Sequence, residues 1–363
     1  MTLLTLGLLI GGLFLLVVGG DLLVRGASKI ASALGVSALV IGLTIVAFGT
    51  SAPELVVSLK ASFDGRASLA VANVVGSNNF NVLFILGICA LISPLVVSSQ
   101  LVRLDVPIMI GASILLVLFS QNGVISNLEG GILFAGLISY TWFLIYQSRK
   151  KTLRERESEV VEFVPLNAKV IFLNIFFIIA GLGCLVLGGD WFVTGATNIA
   201  VAAGVSDTVI GLTIVAIGTS LPEVATSLIA TYKGERDIAI GNVVGSNIFN
   251  VLLILGVSSI VTPSGLQVSS ELLIFDIPLM IGTALACLPI FFVGFQIRRW
   301  EGALFFTVYI LYTIFLILNT TNHAAFDTYQ KGLLYIVGPI LVFTLIVILY
   351  QAIRQLRGAP QKS

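Results

Sequence analysis

Two glutamates, Glu54 and Glu223, each close a Gly-Thr-Ser-x-Pro-Glu run and stand inside a long apolar stretch. A carboxylate at membrane depth costs on the order of 2.5–3.5 kcal/mol. Two of them persist only where they face a cation or a water-filled cavity. The nearest basic residues, Lys60 and Lys233, lie six and ten positions on, near helix ends, so neither glutamate has an adjacent ion-pair partner. Pro53 and Pro222 lack an N–H and clash with the carbonyls four residues back, at Gly49 and Gly218. Carbonyls freed in this way are tolerated in a membrane where they line a cavity or find new partners. Thr50, Ser51, Thr219 and Ser220 add hydroxyl and carbonyl oxygens in the same turn.

A second motif supplies more oxygen from the next helix. Ser77 and Asn81 are four apart and share a helical face, and Ser246 and Asn250 mirror them. Asn73, Asn78, Asn242 and Asn247 are further amides, read as holding helices together. Gly76 and Gly245 would let backbones approach closely. The inventory is two carboxylates and many neutral oxygens, with neither sulfur nor imidazole. Hard cations fit this set, since Ca²⁺ takes about six to eight oxygens while softer metals seek Cys or His. Two negative charges match one divalent ion or several monovalent ions, and competition between those occupancies is the basis of exchange. The three cysteines, Cys89, Cys184 and Cys287, each stand alone in apolar runs and read as packing residues. The single histidine, His323, falls in a polar connection and reads as a solvated loop residue.

Both motifs occur twice at an offset of 169. Residues 40–54, VIGLTIVAFGTSAPE, match residues 209–223, VIGLTIVAIGTSLPE, at 13 of 15 positions. Residues 71–83 match residues 240–252 at 10 of 13. Gly-Gly-Asp recurs at 19–21 and 188–190, DVPIMIG at 105–111 answers DIPLMIG at 276–282, and Glu129-Gly130 answers Glu301-Gly302.

The helices that must carry these motifs follow from composition. The 363 residues are 57% hydrophobic and only 10% charged, against about 25% charged in a soluble domain. Their mean hydropathy is +1.08. This is an all-α polytopic membrane chain; a β-barrel would show short alternating segments. A net charge of +1 argues against a nucleic-acid partner. Eleven apolar runs are predicted as spans, near 3–24, 37–60, 68–92, 106–120, 130–147, 169–190, 207–231, 238–261, 273–295, 301–318 and 333–352. The first begins apolar at once and reads as a membrane helix, not as a removable signal. Five spans per repeat is an odd number, so the two repeats enter the membrane from opposite sides. That inverted arrangement belongs to secondary transporters, whose sites lie at the repeat interface on interrupted helices. With the N-terminus outside, 16 of the 19 basic residues fall inside and only Lys60, Arg66 and Lys331 outside. The expected organisation is a first repeat over 1–148, a charged cytoplasmic linker over 149–167, a second repeat over 168–320, and a loop, extra helix and basic tail over 321–363.

At these motifs the chain resembles the Ca²⁺/cation antiporter superfamily, specifically its sodium/calcium exchanger group and the prokaryotic members. The resemblance covers roughly residues 1–320. It implies a ten-helix core and Ca²⁺ and Na⁺ held by Glu54 and Glu223. It further implies Ca²⁺ contacts from the carbonyls of Thr50 and Thr219. The Na⁺ sites would be completed by Ser51, Ser220, Ser77, Ser246, Asn81 and Asn250. Asparagine at both 81 and 250, where potassium-dependent relatives carry aspartate, speaks against potassium co-transport. The expected function is antiport of Ca²⁺ against Na⁺ by alternating access, in a prokaryotic cell membrane and without a cofactor. The rivals are H⁺ as counter-ion, a cation channel using the same carboxylates, and an intramembrane enzyme. The enzyme reading is disfavoured because Asp21 and Asp190 sit near helix ends and no HExxH or Ser/His pairing exists.

Overall fold

The computed structural model describes residues 3–158, 168–205, 207–210, 213–214 and 216–358. Its first repeat comprises α1 (Leu3–Leu34), α2 (Ala38–Thr50), α3 (Ala52–Phe63), α4 (Ala67–Ile92), α5 (Leu101–Ser120) and α6 (Asn127–Ser158). After α7 (Ala168–Ala202) the second repeat continues through short helical pieces at Asp207–Ile210 and Ala216–Gly218. It then runs through α8 (Leu221–Tyr232), α9 (Arg236–Val261), α10 (Leu272–Phe295) and α11 (Arg299–Thr320). A last helix, α12 (Phe326–Gln355), follows.

Among the described residues, nine helices are long and apolar enough to cross a membrane, or ten when the bent pair α2–α3 counts as one span. Eleven were expected. The remaining candidate, 207–231, includes positions 211, 212 and 215, which lie outside the described residues. Several spans overrun their expected ends, because helix continues past the apolar limit: α1 reaches Leu34 and α5 begins at Leu101. The charged run after Arg149 likewise remains helical to Ser158, and the rest of the linker, 159–167, lies outside the described residues. Residues 359–363 of the basic tail lie outside them too.

Equivalent helices of the two repeats run antiparallel. Along the α1–α7 pair, Gly12 meets Gly188 and Phe192, Gly19 meets Gly181, and Gly26 meets Asn174. Rising numbers on one helix therefore meet falling numbers on the other. A Cβ at Gly12 would lie 2.6 Å from Phe192 N, and one at Gly19 would lie 2.8 Å from Gly181 O. Small residues are how membrane helices pack this closely. The same inversion shows at the ends of α5 and α10. Strand β1 (Leu95–Val96) pairs with β4 (Gln296–Ile297), and β2 (Val124–Ile125) with β3 (Leu266–Gln267). Each pairing joins the start of one of these helices to the end of the other. The four strands are a small addition to the expected all-helical chain; they satisfy the backbone of the extended links at the bundle ends.

Other repeated motifs prove structural. Glu129 caps α6 by accepting from Ser126 N at 2.7 Å, and Glu301 caps α11 by accepting from Arg298 N at 2.7 Å. Tyr140 donates to Asp105 Oδ1 at 3.0 Å, tying α6 to α5, and Tyr312 donates to Asp276 Oδ1 at 2.6 Å, tying α11 to α10. Cys89 and Cys287 are buried free thiols and Cys184 is half-buried. His323 is exposed and caps its own loop by accepting from Ala325 N at 3.1 Å. Helix α12 lies at the periphery, where Gln355 Oε1 accepts from Gly294 N at 3.1 Å.

Candidate functional site

Helix α9 is buried along its whole apolar window and α4 along most of its own. These two helices support the broken helices that carry the glutamates. Gly245 makes the closest seat: a Cβ there would lie 2.7 Å from Ala47 Cβ and 2.8 Å from Leu43 O. Gly76, its repeat mate, meets nothing within 4 Å among the described residues.

Between α2 and α3 the chain bends by 43°. Ser51 takes φ −81°, ψ 4° at the break, and Ser220 takes φ −92°, ψ 6° at the equivalent point. Both angles fall in the sparsely populated bridge region, where many active-site residues sit. The helical ladder resumes with Leu55 N donating to Ser51 O at 3.1 Å and Val224 N to Ser220 O at 3.1 Å. Glu54 and Glu223 thus stand in the first turns of α3 and α8, where the helix dipole favours negative charge. Both are 0% exposed.

The two repeats cross over at this point. Ser51 Oγ donates to Glu223 Oε1 at 3.2 Å, and Ser220 Oγ donates to Glu54 Oε1 at 2.9 Å. Ser220 Oγ also lies 3.1 Å from Ser77 Oγ. Thr219 lies beside Glu54, and Ser246 beside Glu223. Two basic residues in reach of this part of the bundle, Arg25 and Lys233, both pair with Asp21, and Lys60 is exposed.

Four asparagines form a second crossed set. Asn78 Nδ2 donates to Asn247 O at 3.3 Å, and Asn247 Nδ2 returns the bond to Asn78 O at 3.4 Å. Their side-chain oxygens then accept from Asn250 Nδ2 and Asn81 Nδ2, each at 3.0 Å. With its N–H group held, each outer amide is oriented, and Asn81 Oδ1 and Asn250 Oδ1 remain buried without a donor. Glu54 Oε2 and Glu223 Oε2 share that condition. Buried acceptors without donors are costly and rare in native structures. These four oxygens are candidate ligands for a cation. Among the described residues no three His, Cys, Asp or Glu side chains converge, so the candidate ligands are two carboxylates and neutral oxygens.

Sequence reasoning missed two contributions. Asn73 and Asn242 are more than helix glue, since their Nδ2 atoms hold the main-chain carbonyls of Glu54 and Glu223, each at 3.4 Å. Asn242 Oδ1 also accepts from Thr50 Oγ1 at 2.9 Å, across the repeats. The helical period itself changes at the site: Phe80–Leu86 and Asn250–Leu255 are π-helical. Such turns concentrate at functional sites, and here they contain Asn81 and Asn250.

Inverted repeats converging on paired, buried carboxylates define a multi-pass membrane protein of the secondary-transporter class. The family profile described as "Sodium/calcium exchanger protein" matches residues 4–146 and 173–318, and the chain belongs to that family. It is 36% identical over 342 residues to the sodium/calcium exchanger MaX1 of Methanosarcina acetivorans, covering 85% of this chain and 97% of the relative. It is 41% identical over 257 residues to the putative antiporter CaxA of Alkalimonas amylolytica, covering 69% and 79%. The inner membrane protein YrbG of Escherichia coli is 36% identical over 263 residues, covering 72% and 81%. A solved structure of the sodium-calcium exchanger NCX_Mj, soaked with Na⁺, superposes with a TM-score of 0.74 at 32% identity, covering 86% of this chain and 98% of that one.

Proposed function

We propose that the chain exchanges Ca²⁺ for Na⁺ across a prokaryotic cell membrane, with its N-terminus outside and one site exposed alternately to each side. Ca²⁺ binds between Glu54 and Glu223 with the carbonyls of Thr50 and Thr219. Na⁺ ions take its place by sharing the carboxylates with Ser51, Ser77, Asn81, Ser220, Ser246 and Asn250. The observation that carries this reading is the reciprocal pairing of Ser51 with Glu223 and Ser220 with Glu54. It brings both carboxyl groups to the crossing of the two broken helices, and one oxygen of each has no hydrogen-bond partner. Where more positive charge enters with Na⁺ than leaves with Ca²⁺, the membrane potential assists, by about 2.3 kcal/mol per charge per 100 mV.

The test is Ca²⁺ uptake by the purified protein in liposomes loaded with Na⁺ or K⁺, or given a pH step. Uptake that requires internal Na⁺ supports the exchanger. Uptake driven by the pH step would replace Na⁺ by H⁺, and uptake without any counter-gradient would make the protein a channel.

A further inference from the structure

The inverted repeats are alike in fold but differ where the α1–α7 pair meets the rest of the bundle. The turn after α8, Lys233-Gly234-Glu235, reaches α1. Lys233 Nζ pairs with Asp21 Oδ1 and donates to Asp21 O at 3.3 Å, while Ser28 Oγ donates to Glu235 Oε1 at 2.9 Å. Arg25 Nε adds a third contact to Asp21, at 2.8 Å. On the same side Gly20 is seated against α8, where a Cβ would lie 2.7 Å from Ile229 Cδ1 and 3.2 Å from Ala225 O.

The offset of 169 puts Asp190 in the place of Asp21, Thr197 in that of Ser28, Asp64 in that of Lys233 and Arg66 in that of Glu235. The backbone of the two turns is equivalent, with Gly65 at φ 73° and Gly234 at φ 78°. Yet the contacts are missing. Asp64 repeats the sign of Asp190, Arg66 turns to Asp64 at 3.2 Å, and Thr197 Oγ1 is buried without a partner. An open groove of about 750 Å³, lined almost wholly by apolar side chains, runs between α7 and the first broken helix. Gly49, Ala52, Leu182 and Asp190 are among the residues lining it, beside the turn that carries Thr50 and Ser51.

We propose that Asp21, Lys233, Ser28 and Glu235 form a one-sided latch that holds the α1–α7 pair against α8 and so biases alternating access toward opening at the Asp190 end. The mirror end carries like charges at the corresponding positions and cannot close with the same strength. A transporter of two similar halves thereby acquires unequal resting populations, and a ligand's apparent affinity on each face scales with the fraction open to that face. The latch rests on the exchanger reading. It goes beyond it by assigning state preference to residues that touch no ion.

The experiment measures Ca²⁺ half-saturation separately on the two faces of oriented proteoliposomes. Lys233→Gln, Asp21→Asn, their double variant and Asp64→Lys are compared with the unaltered chain. A partly exposed ion pair of this kind predicts shifts of about two- to five-fold. Lys233→Gln and Asp21→Asn raise half-saturation at the Asp190 face and lower it at the Lys233 face, and the double variant goes no further than Asp21→Asn. Asp64→Lys, which offers Asp190 a partner, shifts both faces in those same directions. Equal shifts on both faces, additive single effects, or no shift while exchange persists overturn the latch. Absence of exchange in the unaltered chain instead removes the functional proposal, and the latch with it.

Discussion

The hydroxyl of Ser220 donates to Glu54 Oε1 at 2.9 Å although 166 residues separate them in the chain. Its mirror, Ser51 to Glu223 Oε1 at 3.2 Å, makes each broken helix the support of the other's carboxylate. The site is therefore a property of neither repeat alone.

Replacing either carboxylate should stop transport without unfolding the chain. Glu54→Gln and Glu223→Gln keep shape and remove a charge that the described basic residues do not neutralise. Each variant is expected to insert normally, elute as the unaltered protein does in detergent, and show no Na⁺-driven Ca²⁺ uptake. Substantial uptake by either variant contradicts a two-carboxylate site.

Ca²⁺ should stabilise the fold. A ligand at one hundred times its dissociation constant adds about 2.7 kcal/mol to stability by mass action. Thermal unfolding in detergent is expected to move up with Ca²⁺ and fall back on chelation. In the doubly substituted Glu54→Gln, Glu223→Gln chain the melting temperature should not respond to Ca²⁺.

The bridging serines should act as a coupled pair. Ser51→Ala and Ser220→Ala each remove a hydrogen bond to a charged group, an effect of about 1.5–3 kcal/mol. Each is expected to weaken Ca²⁺ half-saturation by roughly ten-fold or more while exchange persists at saturating Ca²⁺. Because both residues serve one cluster, the double variant should depart from additivity, which a double-mutant cycle on binding measures directly.

Packing at the repeat interface offers an internal control. Gly245→Ala would put a Cβ 2.7 Å from Ala47 Cβ, and overpacking of this kind costs about 1–3 kcal/mol. Gly111→Ala places its Cβ where nothing lies within 4 Å, and a helical Gly→Ala change is neutral or favourable by up to about 1 kcal/mol. Thermal melts of the two variants should therefore move in opposite directions or leave Gly111→Ala unmoved.

Much of this was legible in the linear chain, and for identifiable reasons. An acidic residue in an apolar run is expensive wherever it lies, so Glu54 and Glu223 declared themselves without a structure. Glycine-Thr-Ser-x-Pro announced a helix break before each, because proline removes a donor at a known position. The repeat at offset 169, with an odd number of spans in each half, implied inversion, and the antiparallel α1–α7 and α5–α10 pairs have that geometry.

The tertiary structure alone decided which oxygens meet. Ser51 reaches Glu223, Asn242 reaches Thr50, and Asn78 clasps Asn247 over separations of 169 to 192 residues; no local period reports contacts that form only when two repeats dock. The π-helical turns at Asn81 and Asn250 and the open groove beside Asp190 likewise show only in the folded chain. Two nearly identical motifs cannot say in sequence which of their equivalent surfaces will be pressed together and which left apart. That is settled by the unequal side chains packed around them.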